Sequence, residues 1–286
     1  MYDVVIIGSG VAGVSAALTL QLYRKNILWL GSRALSEKIR KAEKIKNYPA
    51  LTAVTGEAFV QSLQEQISAE RLSITPQTAT GVYAMGKSFT VTTEKDAFEG
   101  KTVILATGVE SSKSVVGEQE FLGRGVSYCA TCDGFLYKDK TIAVVCTLKD
   151  KEHEVQYLAS LAKKVYLVPL YKNVSLQQDN VESVKGMPVT IEGNKRVERL
   201  VFKDKTLEVD GVFFLKNAIA PSALVGGLQT QDGHVVIERD TSTNIAGLFA
   251  AGDCTGRPYQ YAKAVGEGNV AAHAVIEYLN KNIKEE

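Results

Sequence analysis

The chain has 286 residues with 45% hydrophobic and 23% charged side chains, and its formal net charge at pH 7 is +1. These values are typical of an ordinary globular protein of one large or two moderate domains. The near-zero charge gives no global reason to expect nucleic acid or an anionic membrane as a partner. No apolar run reaches the roughly 18 to 20 residues of a membrane-spanning helix. The chain opens directly into a strand without a leader, so a cytoplasmic protein is expected.

The first predicted element is a buried strand, Tyr2 to Ile7, followed by Gly8-x-Gly10-x-x-Gly13 and a helix. Gly8 permits a tight turn, Gly10 lets the backbone approach a pyrophosphate, and Gly13 lets the helix pack closely on the strand. The first turn of the helix then presents its free N–H groups and its positive dipole end to the phosphates. Strand, glycines and helix occur together, which predicts a dinucleotide site.

Two later positions refine this first site. Gly31 and Ser32 follow the second strand, where an Asp or Glu would hold the ribose hydroxyls of NAD, so an NAD site is disfavoured here. A further strand, beginning near Lys101, runs into Ala106-Thr107-Gly108. In the sheet of a dinucleotide-binding fold, ligands bind at the carboxyl ends of the strands, although an ordinary turn can have the same residues as this one.

Four cysteines in a chain of this length do not form a disulfide framework, and two of them form Cys129-Ala-Thr-Cys132. Cysteines at this spacing can close a small disulfide at the start of a helix, where the dipole and the partner thiol favour a thiolate. Such a thiolate attacks a partner disulfide through a mixed disulfide. Asp133 is a candidate acid and base for the leaving thiolate, and a helix cap is its alternative role.

A zinc site is the other use of such a pair, and it needs two more ligands. Cys146 and Cys254 are isolated, and His153, His234 and His273 show no ligand spacing. No metal site is therefore predicted. The two single cysteines are expected to be small buried residues at strand ends.

Residues Thr141 to Val168 predict a second strand, turn, helix and strand, but the turn has Cys146, Thr147 and Leu148 in place of glycines. Side chains at these positions occupy the space that a pyrophosphate needs next to the backbone. The chain continues as Pro169-Leu170-Tyr171, which offers no cluster of guanidinium groups for a phosphate. The unit keeps the frame of a dinucleotide-binding fold without its phosphate-binding residues.

The last predicted strand ends in Gly252-Asp253, and a carboxylate at this edge can accept a hydrogen bond from a ribityl hydroxyl of FAD. This strand end is one of several segments by which the chain resembles the low-molecular-weight thioredoxin reductases, over nearly its whole length. The other segments that carry the resemblance are the first glycine turn, the segment Lys46 to Ala50, the turn at Thr107, and Cys129-Ala-Thr-Cys132-Asp133-Gly134.

The resemblance implies an α/β fold of two dinucleotide-binding-type (Rossmann-like) domains. It implies a discontinuous FAD-binding domain, residues 1–112 and 244–286, and an inserted degenerate NADPH-type domain, residues 113–243, that carries the redox disulfide. Its implied catalytic residues are Cys129, Cys132 and Asp133. The residues that it places on the flavin are Gly8, Ser9, Gly10, Ala12, Gly13, Asn47, Val82, Thr107, Gly108, Gly252, Asp253, Gln260 and Tyr261.

By the same resemblance, the glycine pattern of the NADPH site falls on Cys146, Leu148 and Lys151, and the His-Arg-Arg run that grips the 2′-phosphate is absent. The chain is thus similar to the ferredoxin-dependent flavin thioredoxin reductases, a branch that does not use pyridine nucleotides. This similarity implies that ferredoxin is the electron donor, that FAD is the cofactor without NAD(P)H, and that thioredoxin is the electron acceptor. It also implies a homodimer.

Ferredoxins are typically acidic, so complementarity predicts a basic docking surface. The segment Arg33 to Lys46 has six basic and two acidic residues, and Lys163-Lys164 adds to the inserted domain. A solvated helix face explains the segment equally well. If the segment binds ferredoxin, reversing the charge at Lys38, Arg40 and Lys41 slows reduction.

Three other functions fit these residues. The first is an NADPH-dependent reductase with a divergent nucleotide site. The second is a diflavin disulfide oxidoreductase, in which another flavin occupies the vacated site. The third is a non-catalytic flavoprotein that uses Cys129 and Cys132 as a redox sensor.

Overall fold

The computed structural model describes residues 1–109, 115–118, 120–216 and 220–283. The chain forms two compact units, residues 1–109 with 220–286 and residues 110–219. The predicted boundary at residue 112 lies outside the described residues. The segment 220–243, which the sequence assigned to the inserted domain, groups with the first unit. Among the described residues, no helix is both long and apolar enough to cross a membrane.

The described parts of the two units contain helices, strands and three short 3₁₀ turns. The helices are α1 (Val11–Leu22), α2 (Glu37–Arg40), α3 (Gly56–Ala69), α4 (Ala130–Asp133), α5 (Glu152–Leu161), α6 (Pro221–Leu224) and α7 (Tyr261–Ile283). The strands are β1 (Tyr2–Ile7), β2 (Ile27–Leu30), β3 (Ala79–Met85), β4 (Ser88–Thr93), β5 (Ala97–Leu105), β6 (Val126–Ser127), β7 (Thr141–Cys146), β8 (Lys164–Pro169), β9 (Val181–Ser183), β10 (Thr190–Gly193), β11 (Val197–Val201), β12 (Thr206–Glu208), β13 (Gly211–Leu215), β14 (Thr230–Gln231), β15 (His234–Val235) and β16 (Leu248–Ala250). The 3₁₀ turns are Gly134–Tyr137, Lys149–Lys151 and Asp253–Thr255.

The first unit has a mixed sheet in the order β2-β1-β5-β4-β3, with β16 beside the second half of β5. β1, β2, β5 and β16 run parallel to one another, whereas β4 pairs antiparallel with both β3 and β5. Strands that are joined by helices form parallel sheets, but β3, β4 and β5 follow one another without a helix, and such neighbours pair antiparallel. Ile7, Leu105 and Ala250 are in register, so three strands end at one edge.

Helix α7 packs along α1 and brings its first residues to this edge of the sheet. The Ser15 hydroxyl donates to the Val265 carbonyl at 2.7 Å, and the Asn269 amide donates to the Thr19 hydroxyl at 3.0 Å. At Gly268 the two backbones approach so closely that a Cβ would lie 2.2 Å from the Ala12 carbonyl oxygen. The glycine therefore permits the close packing of the two helices.

The second unit has a parallel five-stranded sheet in the order β6-β13-β7-β8-β9. The predicted strand, turn, helix and strand within Thr141 to Val168 are confirmed as β7, α5 and β8. Helix α5 buries Val155, Leu158 and Ala159 on the sheet, the spacing of one helical face. Both units thus confirm the predicted α/β class with two Rossmann-like folds.

Candidate functional site

The turn after β1 has the backbone that its three glycines predict. Gly8 has φ of +118°, and a Cβ there would lie 2.1 Å from the Ala106 carbonyl oxygen. A Cβ at Gly13 would lie 2.1 Å from the Gly8 carbonyl oxygen, so helix α1 packs directly on this turn. Gly10 is the N-cap of α1, makes no side-chain cap, and has no atom within 4 Å of the Cβ position. The first turn of α1, which has no acidic residue, is therefore open to an anion.

Ser9 and Ala12 support this turn through contacts with neighbouring segments. The Ser9 hydroxyl oxygen accepts a hydrogen bond from the Ser32 N–H at 2.9 Å, which ties the turn to the segment after β2. Ala12 packs against the turn after β16, since a Cβ at Gly252 would lie 2.9 Å from the Ala12 Cβ. Both residues thus shape the edge of the sheet.

The turns after β5 and β16 present polar groups without partners. Among the described residues, Thr107 Oγ1 is buried and has no hydrogen-bond partner. Gly108 has φ of +67° and open space at its Cβ position. Asp253 is half-buried, and burial raises the pKa of its carboxyl above the ordinary 3.8, although Lys263 and Lys38 oppose the shift. A buried hydroxyl and a buried carboxylate at one edge need hydrogen-bonding partners.

Asn47 and Gln260 meet although 213 residues separate them, and the Asn47 amide donates to Gln260 Oε1 at 2.6 Å. Tyr261 is the first residue of α7. Burial and, to a smaller extent, the charge of Asp253 raise the pKa of the Tyr261 hydroxyl. Val82 is buried in β3, where it pairs with Val91 and bridges to Val225. The described contacts of Val82 are those of a sheet residue.

These residues fit FAD. The open first turn of α1 suits the pyrophosphate, and the groups at Thr107 and Asp253 suit the hydroxyls of a ribityl chain. FAD would be held by the ends of three parallel strands, the usual edge for ligands in this type of sheet. The placement of FAD on each predicted residue stays a prediction.

In the second unit, a disulfide joins Cys129 and Cys132. Cys129 is the N-cap of α4, and its Sγ accepts a hydrogen bond from the Cys132 N–H at 3.1 Å. Once the bond is reduced, this N–H favours a thiolate on Cys129. Cys129 is 5% exposed, whereas Cys132 is exposed.

Asp133 contacts the cysteine loop through Ser127. The Ser127 hydroxyl donates to Asp133 Oδ2 at 2.7 Å and accepts from the Cys129 N–H at 3.1 Å. Asp133 makes no side-chain cap for the 3₁₀ turn that it precedes, so the alternative role as a cap is wrong. Ser127 was missed by sequence reasoning, because nothing in its local pattern marks it as a partner of Asp133.

The turn after β7 is filled by its own side chains. Cys146 is buried, its Sγ donates to the Leu148 carbonyl at 3.1 Å, and burial raises the pKa of the thiol to about 11. Cys254 is also buried, and burial raises the pKa of its thiol to about 11. Both cysteines are the small buried residues that were predicted. Among the described residues, no group of three or more His, Cys, Asp and Glu could hold a metal ion.

Helix α5 begins with acidic residues. Glu152 Oε1 accepts hydrogen bonds from the Tyr171 hydroxyl at 3.0 Å and from the Ser175 N–H at 2.9 Å. Burial and the bond to Glu152 raise the pKa of Tyr171. Glu154, also in the first turn, is buried and pairs with Lys151. The positive end of α5 therefore has two carboxylates of the chain itself in its first turn.

Sequence reasoning also missed a buried charged cluster. The Lys216 ammonium and the Tyr128 hydroxyl both donate to Glu118 Oε1, at 2.6 and 2.7 Å. All three side chains are buried, and 98 residues separate Lys216 from Glu118. The only local signal was a lysine at the end of the apolar strand β13.

Known proteins are similar to this chain in sequence and in fold. The family model described as pyridine nucleotide-disulphide oxidoreductase matches residues 2–146 and 170–268. A thioredoxin reductase of Helicobacter pylori is 34% identical over 98% of this chain and 99% of its own length. Two crystal structures of a ferredoxin-flavin thioredoxin reductase from Clostridium acetobutylicum are similar to this chain. One is 47% identical with a TM-score of 0.90, over 98% of each chain. The other is 40% identical with a TM-score of 0.87, over 100% of this chain and 99% of its own.

The fold, the disulfide and the open glycine turn define a flavin-dependent disulfide oxidoreductase. The chain belongs to the pyridine nucleotide-disulphide oxidoreductase family and is of the thioredoxin reductase type. The resemblance predicted from the sequence is thus confirmed.

Replacing Asp253 by Asn tests the charge at the flavin edge. The pKa of Asp253 is raised, so the native chain binds its proton more tightly than the unfolded chain, and ionised Asp253 destabilises the flavin-free protein above that pKa. We expect Asp253→Asn to raise the melting temperature of the flavin-free protein at pH 7, by an amount that shrinks as the pH falls toward 4. FAD affinity should fall by about tenfold, because a charged acceptor is lost.

Asp204→Asn makes the same charge change at an exposed position in the second unit and should leave both values unchanged. Thermal unfolding followed by circular dichroism and flavin titration measure the two effects. A lower melting temperature for Asp253→Asn at pH 7 would contradict the raised pKa.

Proposed function

We propose that this protein takes electrons from reduced ferredoxin, passes them through FAD to the Cys129–Cys132 disulfide, and reduces thioredoxin without using NAD(P)H. The observation that carries the choice of donor is the filled first turn of α5. A dinucleotide pyrophosphate binds the free N–H groups of such a turn. In this chain, Glu152 and Glu154 lie in that turn, where Glu152 binds Tyr171 and Ser175, and buried Glu154 pairs with Lys151. Acidic residues in the first turn of α5 disfavour an anion there.

Three further observations support the proposal. Cys146 and Leu148 replace the glycines of the turn, and the Cys146 side chain fills the space inside it. Tyr171 and Ser175, beyond β8, bind Glu152 at the position where a basic cluster would grip a 2′-phosphate. The family model leaves residues 147–169 unmatched, and these include all of α5 and β8.

The relatives support the same donor. The crystal structures at 47% and 40% identity are of ferredoxin-flavin thioredoxin reductases by name. When bound, FAD can accept single electrons from an iron–sulfur protein and deliver a pair to a disulfide. A donor near −400 mV and thioredoxin near −270 mV differ by about 130 mV, or roughly 6 kcal/mol for two electrons.

The cysteines and Asp133 carry out the exchange. Two electrons and two protons convert the Cys129–Cys132 disulfide to a dithiol. The Cys129 thiolate then attacks the thioredoxin disulfide, Cys132 displaces thioredoxin from the mixed disulfide, and Asp133 protonates the leaving thiolate. Attack by Cys129 requires a rearrangement that uncovers it, since it is 5% exposed.

The surface beside the cysteines suits a protein substrate. Phe135 and Leu136 follow the disulfide directly and are 70% and 63% exposed. Exposed large apolar side chains next to a reactive group favour docking of another protein. These residues support thioredoxin, or a protein of its fold, as the electron acceptor.

An anaerobic flavin spectrum tests the donor. We expect reduced ferredoxin to bleach the oxidised flavin band at about 450 nm, and we expect NADPH and NADH to leave it unchanged. Oxidised thioredoxin should then restore the band. A Cys129→Ser/Cys132→Ser variant is the control, because ferredoxin should still bleach it but thioredoxin should no longer restore it.

The same experiment separates the other functions. Prompt bleaching by NADPH would contradict the proposal and indicate a divergent nucleotide site. Two flavins per chain would indicate a diflavin enzyme. Bleaching by ferredoxin without steady-state reduction of thioredoxin would indicate a redox sensor.

The structure sharpens the choice of residues for a ferredoxin docking surface. Arg40 pairs with Glu57, and the Lys38 ammonium donates to the Val109 carbonyl, so reversing these charges also disturbs local contacts. Lys44 and Lys46 are exposed in the same segment.

We therefore expect Lys44→Glu/Lys46→Glu to slow reduction by ferredoxin by about tenfold at low ionic strength, an effect that disappears at high salt. Lys87→Glu/Lys95→Glu makes the same charge change at exposed positions on β-hairpins of the first unit and should not slow it. Stopped-flow flavin bleaching measures both. Equal rates for the two variants at low salt would remove this segment from the docking surface.

We also propose a homodimer, which exposed apolar residues on two packed helices, α1 and α7, support. Leu22, Tyr23 and Val270 are 75%, 49% and 39% exposed.

Sedimentation of the wild-type protein should give twice the mass of one chain. Leu22→Glu should shift the protein toward the monomer, whereas Leu136→Glu, at an exposed apolar position in the second unit, should not. A monomeric wild type would refute the dimer.

A further inference from the structure

A charged pair on α7 holds the turn that carries Asp253. The Lys263 ammonium donates to the Gly252 carbonyl at 2.8 Å, to the Thr255 hydroxyl at 2.7 Å and to the Gly256 carbonyl at 2.8 Å. An ammonium has three protons, so these contacts use all of them. Glu267, one helical turn further, lies 3.2 Å from the same ammonium.

Glu267 binds the other side of the turn. Its Oε2 accepts hydrogen bonds from the Gly252 N–H and from the Thr255 hydroxyl, both at 2.8 Å. The N–H and the carbonyl of Gly252 are therefore fixed by opposite members of one ion pair. Both side chains are about four-fifths buried, with 18% of Lys263 and 22% of Glu267 exposed, which strengthens each bond relative to one in water.

The backbone of this turn needs such support. Gly252 has φ of +90° and ψ of −152°, and Gly256 has φ of +118° and ψ of −177°, conformations that glycine adopts and other residues rarely do. Such conformations persist when the surrounding contacts fix them. Asp253 lies between the two glycines, and no described residue donates a hydrogen bond to its carboxylate.

We propose that Lys263 and Glu267 are positioning residues of the flavin site, which hold Asp253 ready to accept a hydroxyl of the ribityl chain of FAD. This inference rests on the proposed place of FAD at the edge of β1, β5 and β16. The pair acts through the backbone of the turn and leaves the carboxylate free. Lys263 also offsets the negative charge of Glu267 beside Asp253.

The proposal predicts a loss of affinity that is specific to one half of FAD. ADP contains the adenosine and pyrophosphate of FAD but lacks the ribityl chain, so ADP depends on the glycine turn of α1 and not on Asp253. Lys263→Met should weaken FAD binding by about tenfold or more, since it removes three hydrogen bonds from a charged donor. ADP binding should change by less than about threefold.

The experiment measures FAD release from the holoprotein by flavin fluorescence, and FAD and ADP affinity of the full-length flavin-free chain by calorimetry. Lys281→Met, at an exposed lysine in the last turn of α7, is the matched control and should change neither affinity. Lys263→Met/Glu267→Gln should bind FAD more tightly than Lys263→Met, because it removes the uncompensated carboxylate beside Asp253.

The outcomes separate this inference from the proposed flavin site. A wild-type chain that binds no FAD would refute the flavin site itself. A wild type that binds FAD, with a Lys263→Met variant of equal affinity, would overturn the positioning role alone. Equal losses of FAD and ADP affinity would also overturn it, because they would indicate general damage to the unit.

Discussion

The first turn of a helix has backbone N–H groups without partners in the helix, and both units are organised around how these groups are satisfied. In the first unit, Gly10 leaves the beginning of α1 open and free of acidic residues, so a phosphate can complete it. In the second unit, Glu152 and Glu154 stand in the first turn of α5, and Cys146 fills the turn before it. The same strand, turn and helix thus form a ligand site in one case and a closed structural element in the other.

The closed unit keeps its fold because its core does not depend on a nucleotide. Val144, Leu158 and Phe213 are fully buried between the parallel sheet and α5, and burial of such side chains supplies most of the stability of the unit. The surface that the unit presents can therefore change while the sheet stays the same. What it retains is the disulfide on α4, the carboxylate of Asp133 held by Ser127, and exposed apolar residues beside them. These are the groups that thiol exchange with another protein requires.

The sequence predicted what depends on neighbouring residues. The glycine turn, the frame of β7, α5 and β8, the cysteine pair and the two buried cysteines could all be predicted, because each is a local pattern with one physical explanation. Contacts over long sequence distances could not. Ser127 and Asp133, Glu118 and Lys216, and Asn47 and Gln260 meet through the fold alone. The segment 220–243 groups with the first unit by its contacts, whereas the sequence placed it in the inserted domain, because its short strands carry no pattern that marks the unit they pack on.

A carboxylate of α5 and a carboxylate of α7 each accept hydrogen bonds near the end of a strand, but one strand end is closed and the other is open to a ligand. Glu152 belongs to the first turn of its helix and takes its partners, Tyr171 and Ser175, from beyond β8. Glu267 lies in the second turn of α7 and binds the Gly252 N–H and the Thr255 hydroxyl, while no described residue donates to the carboxylate of Asp253. Lys263 compensates its charge, so the site keeps a free acceptor without an excess of negative charge. The position of a carboxylate along its helix therefore decides whether a strand end closes or stays available to a ligand.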